Sequence, residues 1–286
     1  MSVATLSSDT GAAAGVHGAA EISFVHKGGQ SRLAGLYQRD PLRVLFPDGS
    51  TSEPPTAVIV TTSGGLVGGD CLDVAVSVGD GARAMAFGQS AEKVYRSAGP
   101  ACCINIELSV AAGGWLEWLP QETILFDGAR LERRTRARIA PGGRLLAGEI
   151  LVFGRIASGE RLTRGLVRDA WEVRRRDRLV WADALYVADP MVDVFADPAC
   201  FDGATAYATI VYADDDPGQL LETARGLLEN GDAGLRTAAT VVNGVLVMRW
   251  LGRDAESLRR AFGGFWAGFR HAAAGLPAAL PRLWHV

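Results

Sequence analysis

Two stretches of strict period-two alternation constrain this chain more tightly than any other feature in it. Leu72, Val74, Val76 and Val78 alternate with Asp73, Ala75 and Ser77, and Ile104, Ile106, Leu108 and Val110 alternate with Asn105, Glu107 and Ser109. Successive side chains of a strand point to opposite faces, so each stretch offers one apolar face to a core and one wetter face to solvent. Gly79-Asp80-Gly81 and Ala112-Gly113-Gly114 end the two runs, where the backbone must turn and glycine is the residue that turns without a steric cost. The rhythm of strand, glycine turn and strand continues over 145–153, and 57–62 is a further short apolar strand. No long amphipathic helix is legible between residues 57 and 210. The expected body is therefore mainly β.

Two helices are expected late in the chain. Asp216-Pro217 supplies an N-cap and a proline at the first helical position. Leu220, Leu221, Ala224, Leu227 and Leu228 then form one apolar stripe, and Asn230-Gly231 stops it, for an expected span of 217–230. The second helix, 255–271, starts near Asp254 and carries Leu258, Ala261, Phe262, Phe265, Trp266 and Phe269 at helical spacing. Gly263-Gly264 weakens its middle by about 1 kcal/mol per glycine, which suits close packing against a sheet. Residues 241–250 between the helices read as a strand. The small, polar residues 1–20 read as a disordered leader, and 21–286 as a single domain.

Charge narrows the function classes. With 29 basic and 32 acidic residues the net charge is -3, which gives no global attraction to nucleic acid. A hydrophobic share of 48% excludes a mostly disordered chain. No apolar run reaches the roughly 20 residues of a membrane helix, and no charged segment leads into a signal-like apolar core. The expectation is a cytoplasmic protein with reduced thiols. Its four cysteines include the adjacent pair Cys102-Cys103 but no C-x-x-C, and His17, His26, His271 and His285 lie far apart, so no His-rich metal site is expected. Local charge is uneven: residues 130–178 hold 14 arginines and 6 acids, +8, whereas 181–232 hold 11 acids and Arg225, -10. These are either ordinary solvated faces or a two-signed surface that orients protein partners. Arg134, Arg136 and Arg138 would form a ladder on one face of a strand, tolerable only in solvent or opposite acids.

Four clusters could carry chemistry. Ser63-Gly64-Gly65-Leu66-Val67-Gly68-Gly69-Asp70 follows a strand, but its spacing is not G-x-G-x-x-G, no helix follows, and no G-x-x-x-x-G-K-[ST] occurs anywhere. It is a glycine-rich connection or a loop that presents Asp70. Gly88-Gln89-Ser90-Ala91-Glu92-Lys93-Val94-Tyr95-Arg96 reads as a hydrogen-bonded structural loop. Residues 115–129 set Trp115, Trp118 and Phe126 among Glu117, Glu122 and Asp127. That is a strand pair with acids on its rim, or a partly buried carboxylate cluster in which Glu122 and Asp127 serve as weak oxygen ligands. Gly148-Glu149, Gly154-Arg155 and Ser158-Gly159-Glu160 read as tight strand turns with charged groups. No nucleophile, base and orienting acid assemble from this order of residues. From the residues alone, this is a β-rich binding protein with a polarised surface.

Taken together, the clusters resemble the urease accessory protein family UreD, also called UreH. The resemblance covers about residues 24–269 and rests on the 63–70 loop, on Gln89, Lys93, Tyr95 and Arg96, on 118–129, and on Gly148-Glu149 through Gly154-Arg155 to Gly159-Glu160. It implies a fold of stacked β-sheets in a β-helix-like arrangement with two α-helices in the C-terminal half. It implies a scaffolding chaperone rather than an enzyme, active in assembly of the nickel centre of urease. Such a protein binds urease apoprotein and the helical accessory protein UreF, and through UreF recruits the nickel-carrying GTPase UreG. No cofactor is stably bound, but nickel in transit through an internal passage is implied. Within the matching motifs, Asp70, Glu122, Asp127 and Glu149 are the expected stations for nickel, with Arg96 and Arg155 as counter-charges. Phe262, Phe265, Trp266 and Phe269 are either a UreF-facing surface or core. Two alternatives stay open: a β-rich interaction scaffold unrelated to urease, and a small hydrolase, which would need a convergent pocket with a poised base.

Overall fold

The structure is a computed structural model that describes residues 15–47, 53–229 and 234–285. Its chain begins with β1 (His17–Lys27), β2 (Gln30–Arg39), β3 (Leu42–Leu45), β4 (Thr56–Thr61) and β5 (Cys71–Val78). There follow β6 (Arg83–Gly88), β7 (Glu92–Val94), β8 (Cys102–Val110), β9 (Trp115–Leu119) and β10 (Thr123–Leu125). The arginine-rich part supplies β11 (Arg130–Ile139), β12 (Arg144–Phe153), β13 (Leu166–Arg175) and β14 (Arg178–Ala188). Then come α1 (Val192–Ala196), β15 (Ala206–Ala213), α2 (Leu221–Glu229), β16 (Leu235–Val242), β17 (Val245–Gly252) and α3 (Ala255–Ala274).

A seven-stranded sheet runs β14-β13-β11-β8-β5-β1-β2, and a ten-stranded sheet runs β16-β17-β15-β12-β9-β6-β4-β3, with β10 and β7 paired beside β12. From β4 to β13 the chain crosses repeatedly between them, laying β5, β8, β11 and β13 in the first sheet and β6, β9 and β12 in the second. Neighbours laid down in this way are parallel. The body is thus a two-sheet β-solenoid, mainly β as expected, and its two long helices lie in the C-terminal half.

Alternation explains the stacking. Leu72, Val74, Val76 and Val78 pair in register with Ile104, Ile106, Leu108 and Val110. All eight side chains are buried between the sheets, in one continuous apolar layer. Gly81 and Gly113 close the turns behind these strands with φ of 64° and 66°, where a side chain would be strained. A second core lies on the other side of the ten-stranded sheet. There Leu146, Ile150, Ile210 and Met248 meet Leu258, Phe262, Phe265, Trp266 and Phe269 of α3. The molecule therefore has three layers: sheet, sheet and helices.

Several expectations need correction. Phe262, Phe265, Trp266 and Phe269 are 0%, 4%, 0% and 0% exposed, so the aromatic stripe is core and presents no docking surface. α3 comes close to the sheet because Gly148 leaves room; a Cβ there would lie 2.8 Å from Phe262 Cζ and 3.0 Å from Thr209 O. Gly148 and Glu149 therefore lie within β12, not in a turn, whereas Gly154 and Gly159 do turn, at φ 104° and 74°. Gly263 faces Trp284 rather than a sheet. The strand expected over 241–250 is the hairpin β16–β17, turning at Asn243 and Gly244 with φ of 49° and 79°. That positive-φ Asn-Gly pair is the strongest short hairpin signal a sequence carries.

Helix α2 opens through a 3-10 turn, Pro217–Leu220, and Asp216 accepts from Gln219 Nε2 at 2.9 Å instead of capping the backbone. The Asn230-Gly231 stop lies outside the described residues, as do residues 1–14 of the expected leader; from His17 the chain is strand. Cys71 and Cys103 are joined as a disulfide, against the expectation of reduced thiols, because parallel register sets them opposite each other on β5 and β8 with Cα atoms 4.5 Å apart. Arg136 and Arg138 of the expected ladder do meet an acid, Glu107 on β8, at 3.0 and 2.9 Å.

Candidate functional site

A cavity of about 140 Å³ lies between the two sheets. Apolar walls come from both sides: Leu72, Val74, Ile104 and Ile106 from the first sheet, Ile59 and Trp118 from the second. Exposed Gly64, Ser90 and Lys93 stand at one end, and buried Thr123 and Arg133 at the other. Gly65 at the mouth has φ 140°, and a Cβ would fall 2.5 Å from the Tyr95 ring, so this loop needs glycine to pack onto the 88–96 segment. The two glycine-bearing clusters met in the sequence thus form one structure, held by Leu66 N donating to Lys93 O at 2.7 Å and Tyr95 N to Leu66 O at 2.8 Å.

Glu92, on β7, puts a carboxylate on the cavity wall. It accepts from Thr61 Oγ1 at 2.6 Å, and burial pushes its carboxyl above the ordinary range despite that hydrogen bond. At the inner end, alternation on β11 turns Leu131, Arg133, Thr135, Ala137 and Ile139 inward, so an arginine sits in an otherwise apolar layer. Its guanidinium donates from Nε to Asp169 Oδ1 at 2.9 Å, from Nη2 to Glu149 Oε2 at 3.1 Å and to Asp169 Oδ2, and from Nη1 to Thr123 Oγ1 at 3.1 Å. Trp171 Nε1 donates to Glu149 Oε2 at 2.6 Å.

Two carboxyls therefore share one buried cation. Burial and the neighbouring Asp169 carboxylate push Glu149 well above its ordinary value, and Arg133 only partly opposes them. The neutral Glu149 that this favours spares the layer an uncompensated negative charge, which would be costly in a medium of low polarity. Arg133 itself is held charged: burial opposes the charge, but Asp169 and Glu149 outweigh it. Tyr207 beside this layer is pushed up to about 12, chiefly by burial. The arrangement offers oxygen donors and a guanidinium on the wall of a largely apolar cavity. Such oxygen donors can hold a hard or borderline cation weakly.

The four carboxylates nominated from the sequence are not brought together. Asp70 caps the 63–70 loop, accepting from Val16 N at 2.8 Å and Val67 N at 2.9 Å. Glu122 accepts from Arg259 Nε at 3.1 Å, next to Gln121 and Thr123 of the cavity wall. Asp127 accepts from Thr163 N and Oγ1 at 2.9 and 2.7 Å; burial raises its carboxyl, but these bonds and Arg164 hold it below the usual range. Only Glu149 belongs to the buried layer behind the cavity. Of the expected counter-charges, Arg96 lies 3.7 Å from Asp127, while Arg155 pairs with Glu160 at 2.5 Å and meets none of the four. The acids expected on the rim of 115–129 include one in the core, Glu117, fully buried. Sequence reasoning passed over Glu92, Arg133 and Asp169. For Arg133 a signal existed, since on a strand it has the opposite parity to Arg134, Arg136 and Arg138 and shares the face of Leu131 and Ile139.

Comparison with known proteins bears on the whole chain. The family model described as UreD urease accessory protein matches residues 16–285. A Magnetococcus marinus protein named urease accessory protein UreD is 47% identical over 288 residues, covering 100% of this chain and 99% of its own length. A protein of the same name from Methylobacterium sp. (strain 4-46) is 43% identical over 264 residues, 91% of this chain and 90% of its own. Another, from Azorhizobium caulinodans, is 39% identical over 258 residues, 90% and 91% of the two chains.

Proposed function

Because the chain belongs to the UreD family of urease accessory proteins, we propose that it is a chaperone of urease metallocentre assembly that binds urease apoprotein and a UreF-like protein and, through the latter, recruits a UreG-like GTPase. The family consists of accessory proteins, not enzymes. Nickel is the cargo, and the work is done in the cytoplasm. The observation that carries this reading is the cavity between the sheets, with Glu92 on its wall and the Arg133–Asp169–Glu149 layer at its inner end. Carboxylates hold a borderline ion weakly, so an ion can move between them rather than lodge. Glu92 would take the ion at the wall, and Glu149 would ionise as the ion arrives. Asp70 and Asp127 would act indirectly, by shaping the loops around the mouth, and Glu122 through the neighbouring wall residues.

The test is reconstitution of urease apoprotein with nickel and the UreF-like and UreG-like partners. Without this chain, little nickel should enter the active site. With Glu92→Gln and Glu149→Gln combined, the complex should form but load several-fold less nickel per site. Full loading by that double variant would discard the passage, and full loading without the chain would discard the chaperone role.

A further inference from the structure

On the outer face of the first sheet, away from the cavity, one cluster of ligand-type side chains has been given no work. Among the described residues, His17, Cys71 and Asp73 place an imidazole nitrogen, a sulfur and a carboxylate oxygen within 4.8 Å of one another. Register brings them together. β1 pairs with β5 so that His17 lies beside Cys71, and β5 pairs with β8 so that Cys71 lies beside Cys103 and Asp73 beside Asn105. Since residues i and i+2 of a strand share a face, all five side chains project from one patch.

The patch is built rather than incidental. Asp70 ties the start of β1 to β5 and β8: its carboxylate accepts from Val16 N at 2.8 Å, Cys71 N donates to Val16 O at 2.8 Å, and Cys103 N donates to Asp70 O at 2.8 Å. Asn105 Nδ2 donates to Asp73 Oδ1 at 2.8 Å and lies 3.7 Å from Cys71 Sγ, which orients both groups. His17 Nε2 and Asp73 Oδ2 lie in hydrogen-bond contact at 2.5 Å, on either side of the position where an ion would bridge them. Both side chains are about half exposed, at 53% and 44%, so an ion has access.

We propose that His17, Cys71 and Asp73 form a second cation site, for a thiophilic divalent ion such as zinc or nickel, which the Cys71–Cys103 disulfide closes and reduction of that bond opens. A disulfide sulfur is a poor ligand, whereas a thiolate binds such ions strongly. Two molecules of a low-molecular-weight thiol supply the two electrons and two protons that convert the disulfide to two thiols, and leave as their own disulfide. On binding, Cys71 loses its proton to water and forms the metal–sulfur bond, while the hydrogen bond between His17 and Asp73 opens and each turns a lone pair to the ion. One thiolate and one carboxylate neutralise the dication, and imidazole adds a neutral donor. Sulfur and nitrogen donors exclude calcium and magnesium. Ligand atoms about 3.6 Å apart, as bond lengths near 2.0–2.3 Å require around a tetrahedral ion, need only small side-chain movements from the observed positions. The ligands come from two strands, His17 from β1 and Cys71 and Asp73 from β5, so the sequence carries only an unremarkable Cys-x-Asp and no metal motif. The site stands or falls independently of delivery to urease.

The experiment uses the purified full chain, freed of reductant, with nickel and then zinc as probes. After reduction by a phosphine, the wild type should bind one nickel with a thiolate-to-nickel absorption band, and the oxidised chain should show no band. Cys103→Ser keeps the Cys71 thiol but cannot form the bond, so it should bind with or without reductant. His17→Ala and Asp73→Asn in that background should abolish or strongly weaken the band, and zinc should compete with nickel for it. Absence of the band in both reduced wild type and folded Cys103→Ser would overturn the proposal. So would a band in Cys103→Ser that survives the loss of both His17 and Asp73. Circular dichroism of each variant confirms that it is folded.

Discussion

Two arginines are buried among the described residues, and their surroundings differ in kind. Arg270, on α3, is fully enclosed. It donates to Glu117 from Nε at 2.9 Å, to Glu53 from Nη2 at 2.6 Å, and to the carbonyls of Pro277 and Ala279 at 2.9 and 3.0 Å. Glu117 also accepts from Trp115 Nε1 at 3.0 Å and Trp266 Nε1 at 2.8 Å. Helix, sheet and C-terminal segment are thus locked by one polar knot. Arg133 lies between the sheets, beside a cavity, with two carboxyls of which one is pushed toward its neutral form. The same pairing of residue types makes a clamp where two carboxylates, one of them reaching the surface, hold the cation at a junction of helix, sheet and C-terminal segment, and a fully buried layer beside a cavity where one carboxyl is pushed toward its neutral form. Buried ion pairs add little net stability over an apolar core, but removing one member is severe.

The contrast can be broken by substitution, and the clamp should fail hardest. Glu117→Leu leaves Arg270 with Glu53 as its carboxylate and two indole N–H groups without their acceptor, so it should cost about 3–5 kcal/mol in urea unfolding. A loss within about 0.5 kcal/mol, typical of a surface site, would mean that the knot locks nothing.

Arg133→Met should cost about 3 kcal/mol at neutral pH, because the buried Asp169 carboxylate loses its guanidinium partner and Glu149 loses a hydrogen bond. Asp169→Asn added to Arg133→Met should recover part of that loss, because it removes the unpaired buried carboxylate. No recovery would show that Arg133 contributes by packing alone.

The smallest effect is expected for Glu149→Gln, which sharpens the comparison. Glu149 holds its proton more tightly folded than unfolded. Its contribution is therefore full below the unfolded value of about 4.3 and is lost as pH rises through the higher folded value. The glutamine variant cannot lose that proton. It should match the wild type in acid and unfold at higher urea above neutrality, by about 1 kcal/mol. A wild-type stability that rises with pH over that range, relative to the variant, would contradict a neutral Glu149.

Much of the scaffold was legible because burial writes itself into alternation. β5 and β8 could be read almost to the residue, and α3 from its apolar stripe and the Asp254 cap, which accepts from Ser257 N at 2.8 Å. The β16–β17 turn carried its own signal in Asn243-Gly244, overlooked in favour of one apolar run. The site was much less legible. Asp70 and Asp127 sit in loops rich in glycine and charge, but their oxygens are spent on backbone amides and a threonine hydroxyl. Glu92 reads from the sequence only as part of the hydrogen-bonded 88–96 loop, because a charged residue on a three-residue strand looks solvated until Thr61 and the cavity are found beside it.

The sequence by itself determined the mainly β body, the two late helices and the absence of a phosphate loop, because periodicity and local turn chemistry act over a few residues. Only the tertiary structure decided which polar groups share a site. Arg133, Glu149 and Asp169 lie on β11, β12 and β13, and His17, Cys71 and Cys103 on β1, β5 and β8. Solenoid winding sets such residues side by side across 16 to 54 positions of sequence, by strand register within a sheet and by the stacking of one sheet on the other. Their protonation and bonding follow from that proximity and from burial, which no spacing along a single strand encodes.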